Sequence, residues 1–312
     1  INVGIMLPNW LGDVVMATPT LRALRAHYGS SANLIGIVRP KTSDVLSGTH
    51  WFDQFIYFDP RSKRRDWRSW AVSTDLRKKN LEEFILLTNS WRAGAIALAS
   101  RAKRRIGYVR YGRGPLLTDR LYPLREGRRL RPTSAVDYYL EIARRAGATV
   151  FSRKLELFTT SEDECLADRV WRNHDLNSAR RVVVLNTGGS YGPAKNWPVE
   201  YFCSLALRLV HELDSSVLVI CGPAERRTAA TIQRTAAHSR VHSLAEMEPS
   251  IGLTKACIRR SDLVVTTDSG PRHFAAAFSV PAVTLFGPTD PRWSMTYHPN
   301  EIHLQRDLPC RP

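Results

Sequence analysis

No stretch of the 312-residue chain approaches the roughly 18 to 20 apolar residues needed to cross a bilayer as a helix. The longest apolar runs are short, such as Phe84-Ile85-Leu86-Leu87 and Val217-Leu218-Val219-Ile220. No GxxxxGK[ST] and no GxGxxG occurs, so neither a P-loop NTPase nor a dinucleotide dehydrogenase is supported. The five cysteines are odd in number and form no CxxC pair. That excludes a paired disulfide framework and leaves zinc without its usual ligand spacing. No helix-turn-helix, RRM, KH or zinc-finger pattern is found, which argues against a sequence-specific nucleic-acid binder. The opening residues carry no basic segment followed by a signal-type apolar core. A cytoplasmic protein is the expectation.

Acidic residues are scarce: Asp and Glu number 29 against 45 Lys and Arg, a net charge of +16. The excess is densest at Arg101, Lys103, Arg104, Arg105, Arg110, Arg113, Arg120, Arg125, Arg128, Arg129 and Arg131, opposed there only by Asp119 and Glu126. Such a field attracts polyanions, whether nucleic acid, anionic headgroups or phosphorylated saccharides. A smaller group, Arg61, Lys63, Arg64, Arg65 and Arg68, has the same sign.

What is present is a repeated alternation. Strand-like runs at Val3–Leu7, Leu34–Val38, Phe55–Phe58 and Phe84–Leu87 alternate with helical patterns. One helical pattern, Asp13 to about His27, contains Pro19, which should kink or divide it. Positions 100–133, rich in Arg, Gly and Pro, read as irregular loops with one short strand. A helical pattern returns at Ser134–Ala148. A second series supplies strands at Val182–Leu185, Val217–Cys221, Leu263–Thr266 and Ala282–Phe286. This order predicts two Rossmann-like, doubly wound α/β domains, at 1–160 and 161–312, facing a cleft.

Ligands of open parallel sheets lie beyond the carboxyl ends of the strands, where turns into helices expose backbone N–H groups. Three such junctions stand out: Pro8 to Asp13, Asn186 to Lys195, and Thr267 to Arg272. Asp13 offers a carboxylate; Lys195 and the turn Asp268-Ser269-Gly270 offer an anion cradle. Position alone leaves Asp13 equally a helix cap and a base. Lys195 is as readily a solvated loop lysine, and His273, in the first turn of a helix, is as readily structural.

The motifs at these junctions narrow the choice. Pro8-Asn9-Trp10-Leu11-Gly12-Asp13-Val14-Val15-Met16, the Thr187–Pro198 run containing Gly192-Pro193-Ala194-Lys195-Asn196-Trp197-Pro198, the Thr267–Ala277 run, and Leu285-Phe286-Gly287-Pro288-Thr289-Asp290-Pro291 occur in that order. Together they resemble the ADP-heptose:lipopolysaccharide heptosyltransferases, in particular their second branch.

The resemblance implies a two-domain glycosyltransferase of the GT-B type. It implies an inverting enzyme that needs no metal or other cofactor and moves heptose from ADP-heptose to the lipopolysaccharide inner core. Asp13 then corresponds to the catalytic base, Lys195 to a diphosphate contact, and Thr187 to its neighbour. Asp268, Ser269, Gly270 and His273 line the nucleotide-sugar site, and Glu225 meets the ribose or base. Asn9, Trp10, Arg61 and Arg64 fall on the acceptor side. The partners implied are a nucleotide-sugar donor, an anionic glycolipid and the anionic inner face of the cytoplasmic membrane, with no specific nucleic acid. The absence of a DxD motif agrees with this reading. Alternatives that keep the scaffold are another nucleotide sugar or a nucleotide-sugar epimerase, and a basic nucleic-acid binder is the alternative outside enzymes.

Overall fold

The computed structural model describes residues 1–189 and 193–307. Ser190, Tyr191 and Gly192 of the second motif lie outside them, as does Cys310. The chain divides into two compact units. Unit 1 comprises Ile1–Leu155 with Arg292–Met295, and unit 2 comprises Glu156–Pro291 with Thr296–Pro312. The short late segment belongs to unit 1 in part because Ser134 Oγ donates to Met295 O at 2.7 Å.

In unit 1, β1 (Asn2–Met6), β2 (Asn33–Val38), β3 (Gln54–Tyr57), β4 (Glu83–Leu86), β5 (Arg104–Tyr108) and β6 (Asp119–Leu121) form a parallel sheet in the order β3-β2-β1-β4-β5-β6. A short antiparallel hairpin, β7 (Arg125–Glu126) and β8 (Arg129–Leu130), follows. The helices are α1 (Leu11–Met16), α2 (Thr18–Tyr28), α3 (Pro40–Ser43), α4 (Ser69–Lys78), α5 (Trp91–Ala99) and α6 (Ala135–Ala146). One core joins Val72 and Leu76 of α4 and Ile96 and Ala97 of α5 to Ile35, Ile37, Phe84 and Leu86 of the sheet.

The expected helix from Asp13 to His27 is two helices meeting at Ala17. Pro19 stands in the first turn of α2, where its missing N–H has no partner to lose. Helix α6 ends on Gly147, whose φ of 102° admits the left-handed stop that a side chain resists. The stretch 100–133 departs most from expectation, because it contains β5, β6 and the hairpin rather than one short strand. Charge hid β5: Arg104 and Arg105 lead it, and Arg104 is neutralised from the neighbouring strands by Glu83 at 2.8 Å and Asp119 at 3.0 Å.

Unit 2 repeats the plan. Strands β9 (Val182–Asn186), β10 (Ser216–Ile220), β11 (Val241–Ser243), β12 (Leu263–Thr267), β13 (Ala282–Phe286) and β14 (Glu301–Gln305) are parallel in the order β11-β10-β9-β12-β13-β14. Its helices are α7 (Ser161–Asn173), α8 (Val199–Leu213), α9 (Arg226–Ala236), α10 (Ile251–Arg259) and α11 (Gly270–Phe278). Thr160 and Asp163 form a capping box that starts α7. In each unit the strand order reverses between the first and fourth strands. In open parallel sheets, loops leaving two such strands diverge, and ligands bind beyond that point.

Candidate active site

In unit 2, two of the expected residues, Lys195 and Asp268, meet where β9 and β12 end. Lys195 Nζ donates to Asp268 Oδ2 at 2.7 Å and to Asp268 O at 3.1 Å. Thr289 Oγ1 donates to the same carboxylate at 2.8 Å. Burial by itself would raise the Asp268 carboxyl. The hydrogen bond and charge of Lys195 outweigh it and hold the group below its ordinary value. Arg272, wholly buried, lies 3.5 Å from Asp268 Oδ1 and pairs with Glu301. Glu301 also accepts from Thr284 and Thr296 at 2.7 Å each.

The formal charges of Lys195, Arg272, Asp268 and Glu301 cancel. The cluster of these four side chains is therefore formally neutral. Helix α11 starts there, with Ser269 as its N-cap and no side-chain cap bond. The N–H groups of the first turn and the helix dipole both favour a negative group there.

Asn186 ties the two turns together. Its Nδ2 lies 3.0 Å from Gly188 O, 3.0 Å from Thr266 Oγ1 and 2.8 Å from Ser269 Oγ. Two glycines permit the approach. A Cβ on Gly189 would stand 2.8 Å from Ser269 Cβ, and one on Gly188 would stand 2.4 Å from Glu225 Cγ. Glu225 is the N-cap residue of α9, its side chain beside Gly188 and Gly222.

His273 is 4% exposed, and burial with the adjacent Arg272 charge pushes it down to about 3, so it is neutral at physiological pH. Its Nδ1 has no partner. Among the described residues only five buried side-chain N or O atoms are unpartnered, and four of them flank the strand-order reversals. Those four are Thr88 Oγ1 after β4, Thr187 Oγ1 after β9, Thr267 Oγ1 ending β12, and His273 Nδ1. Buried polar atoms are nearly always paired, so four unpartnered ones at the strand-order reversals are an unusual concentration.

In unit 1, α1 begins with Trp10 as its N-cap, which places Asp13 third in the helix rather than at the cap. The Tyr139 hydroxyl on α6 donates to Asp13 Oδ1 at 3.1 Å. Burial, and then the Asp13 charge, drive the phenol well above its ordinary value and keep it a donor. Asn9 Oδ1 accepts from Arg39 at 2.8 Å, and Trp10 is exposed. Arg61 and Arg64 lie beyond β3 on the same carboxyl edge. Arg64 pairs with Asp66 at 2.8 Å and covers the Trp67 ring at 4.3 Å.

Residues 69–312 match the family described as glycosyltransferase family 9 (heptosyltransferase). The chain belongs to that family. It is 26% identical to lipopolysaccharide heptosyltransferase 2 of Salmonella typhimurium over 91% of this chain and 82% of the relative. Lipooligosaccharide heptosyltransferase 2 of Campylobacter jejuni is 25% identical over 100% and 90%. The fold matches a family 9 glycosyltransferase of Veillonella parvula, with a TM-score of 0.83, 23% identity, and coverage of 98% and 86%. It also matches ADP-heptose lps heptosyltransferase II of E. coli, with a TM-score of 0.79, 20% identity, and coverage of 100% and 92%. This family 9 chain is a glycosyltransferase whose two parallel-sheet domains have the GT-B architecture.

Several residues of the family 9 chain escaped the sequence reading. Asn89, after β4, accepts on Oδ1 from Tyr138 at 3.0 Å and Arg113 at 3.3 Å. Arg113, wholly inside the fold, also donates to the Tyr108 and Thr88 carbonyls, and burial lowers it to about 10. The fourth junction, Thr88-Asn89-Ser90, was legible as a strand end followed by a helix cap. Arg113, Glu301 and Tyr139 gave no such signal.

Proposed function

We propose that this glycosyltransferase moves heptose from ADP-heptose to the inner core of a lipopolysaccharide, with inversion at the anomeric carbon and without a metal. Asp13 removes the proton from the attacking acceptor hydroxyl, supported by the Tyr139 hydroxyl. The departing diphosphate gains charge and is received by the N–H groups opening α11 and by Lys195, which exchanges its Asp268 partner for phosphate oxygens. Thr187, Ser269, Gly270 and His273 line that cradle, and Glu225 meets the nucleoside.

The observation that carries the reading is the set of unpartnered buried atoms at the strand-order reversals. The names of the Salmonella and E. coli relatives give it its substrate class. No helix among the described residues is long and apolar enough to cross a membrane. Work at the inner face of the cytoplasmic membrane, held there by the basic surface, fits a glycolipid acceptor. The test is acceptor-dependent release of ADP from ADP-heptose, compared with UDP- and GDP-sugars. Preferential UDP release replaces the donor; turnover without acceptor replaces transfer with epimerisation.

A further inference from the structure

Some cations in the Arg-rich part of unit 1 are partnered within the fold. Lys103 pairs with Glu82 at 2.8 Å, and Arg104 with Glu83 and Asp119. Arg131 lies 3.5 Å from Glu126, and Arg105 donates to the Leu116 and Ala102 carbonyls. Arg110, Arg125 and Arg128 show no carboxylate partner among the described residues, as is true of several others in this stretch; what sets them apart is that they meet. These three line one cavity of about 460 Å³ together with Val109, Tyr111 and Leu130.

The backbone builds this arrangement. Tyr111 and Gly112 both adopt left-handed φ, 51° and 75°, and turn the chain sharply beyond β5. Gly127, at φ 60°, lets β7 and β8 join through a two-residue loop that projects Arg128. Arg125 is fixed by its bond to Arg128 O at 3.2 Å, and Arg110 by its contact with the Tyr111 hydroxyl at 3.3 Å.

We infer that this cavity is a subsite for a phosphate group on the acceptor saccharide. Three arginines lining one space concentrate positive charge there, which an anion of more than one charge complements best. A phosphate monoester carries about −1.5 to −2 and matches the guanidinium fork, whereas a carboxylate brings a single charge. The position suits a substituent remote from the attacked hydroxyl. The cavity lies at the carboxyl end of β5, and Asp13 follows β1, two places away in the order β1-β4-β5. At about 4.8 Å per strand the strand axes are about 10 Å apart, roughly the reach of one or two sugar rings. The assignment to a saccharide rests on the proposed transferase reaction; the anion site itself does not.

The test compares the full chain with an Arg125→Ser/Arg128→Ser variant, both positions being exposed. Acceptor saccharide is supplied phosphorylated and after phosphatase treatment. Losing charge-assisted hydrogen bonds raises KM for the phosphorylated acceptor at least about tenfold. Turnover number, ADP affinity and KM for the dephosphorylated acceptor stay unchanged. An equal change on both acceptors, or none, overturns the inference. With ADP saturating, inorganic phosphate broadens in ³¹P NMR on the wild-type chain and not on the variant; that arm stands even where no sugar is transferred. Sedimentation with saccharide-free phosphatidylglycerol vesicles should fall no further than for a control chain, Arg101→Ser/Arg120→Ser, that loses the same charge from exposed positions outside the cavity. Loss confined to the variant gives the phosphate to a lipid headgroup and overturns the saccharide assignment.

Discussion

The Tyr139 hydroxyl donates to Asp13 Oδ1 at 3.1 Å, a bond between residues 126 positions apart. It joins the first turn of α1 to the buried face of α6 and fixes the carboxylate that the proposed reaction uses as a base. A hydrogen bond to the ionised form favours that form. Tyr139→Phe keeps the ring and removes the donor, so the acid limb of kcat/KM against pH should move to higher pH. Asp13→Asn should lower turnover by about 10² to 10⁴ with ADP affinity intact. A Tyr139→Phe profile superimposable on wild type removes Tyr139 from the mechanism.

Strands such as β1, β2, β9 and β10 were legible because they are runs of Val, Ile and Leu that end in polar turns, and these runs located three of the four switch-point junctions. Pairings of charge were not legible. Lys195 and Asp268 are 73 residues apart, and nothing in either motif says that they neutralise each other. Nothing in the sequence marks Arg113, Arg272 and Glu301 as buried, since charged side chains usually are not; only the folded neighbours that satisfy them explain it. Hydrophobic period reports which face is inside, and says nothing of polar groups taken in with partners.

The close fit of Gly188 against Glu225 yields a double-mutant cycle. Gly188→Ala puts a methyl 2.4 Å from Glu225 Cγ and must displace that side chain. Where Glu225 bonds the nucleoside, either Gly188→Ala or Glu225→Ala weakens ADP binding by about tenfold, as for a lost hydrogen bond to a charged group. In the Glu225→Ala background the added methyl has little left to disturb, so the two effects fall short of additive. Isothermal titration with ADP measures all four proteins. Full additivity separates Glu225 from the nucleotide.

Neutral, buried His273 makes stability depend on pH in a defined window. Its folded value is pushed down to about 3, whereas the unfolded chain takes up the proton near 6.5. Stability is full above that and falls as pH drops below it, by up to about 1.4 kcal/mol per pH unit for one group. His242, lowered by burial to about 4, acts in the same direction. Glu301 and Glu164, each held near 2, contribute fully above the ordinary carboxylate range and lose their share only below it. Between pH 6.5 and 4.5 the slope thus belongs to histidine. Urea melts at several pH values should show it, and His273→Gln should reduce it to the share left by His242. An unchanged slope in the variant shows that the ring titrates normally.

The Arg272–Glu301 pair sets the strongest expectation for stability. Both side chains are almost fully enclosed, at 0% and 3% exposure. Removing one member of such a pair leaves an uncompensated charge in a poor solvent for it, which costs about 3 to 5 kcal/mol. Glu301→Gln keeps the shape but only one acceptor oxygen, so the loss combines the charge with one of the acceptor positions used by Thr284, Thr296 and Arg272. Unit 2 should unfold at lower urea by that amount, with the unit 1 transition unmoved where the two are resolved. The effect should reach the donor cradle as well. Arg272 without Glu301 turns its charge more fully on Asp268, 3.5 Å away, and competes with Lys195 for it. A freer Lys195 is a better phosphate partner, so ADP affinity in the folded Glu301→Gln chain should hold or rise while stability falls. Parallel loss of both in one titration series shows instead that Arg272 acts on the nucleotide site only by keeping unit 2 folded.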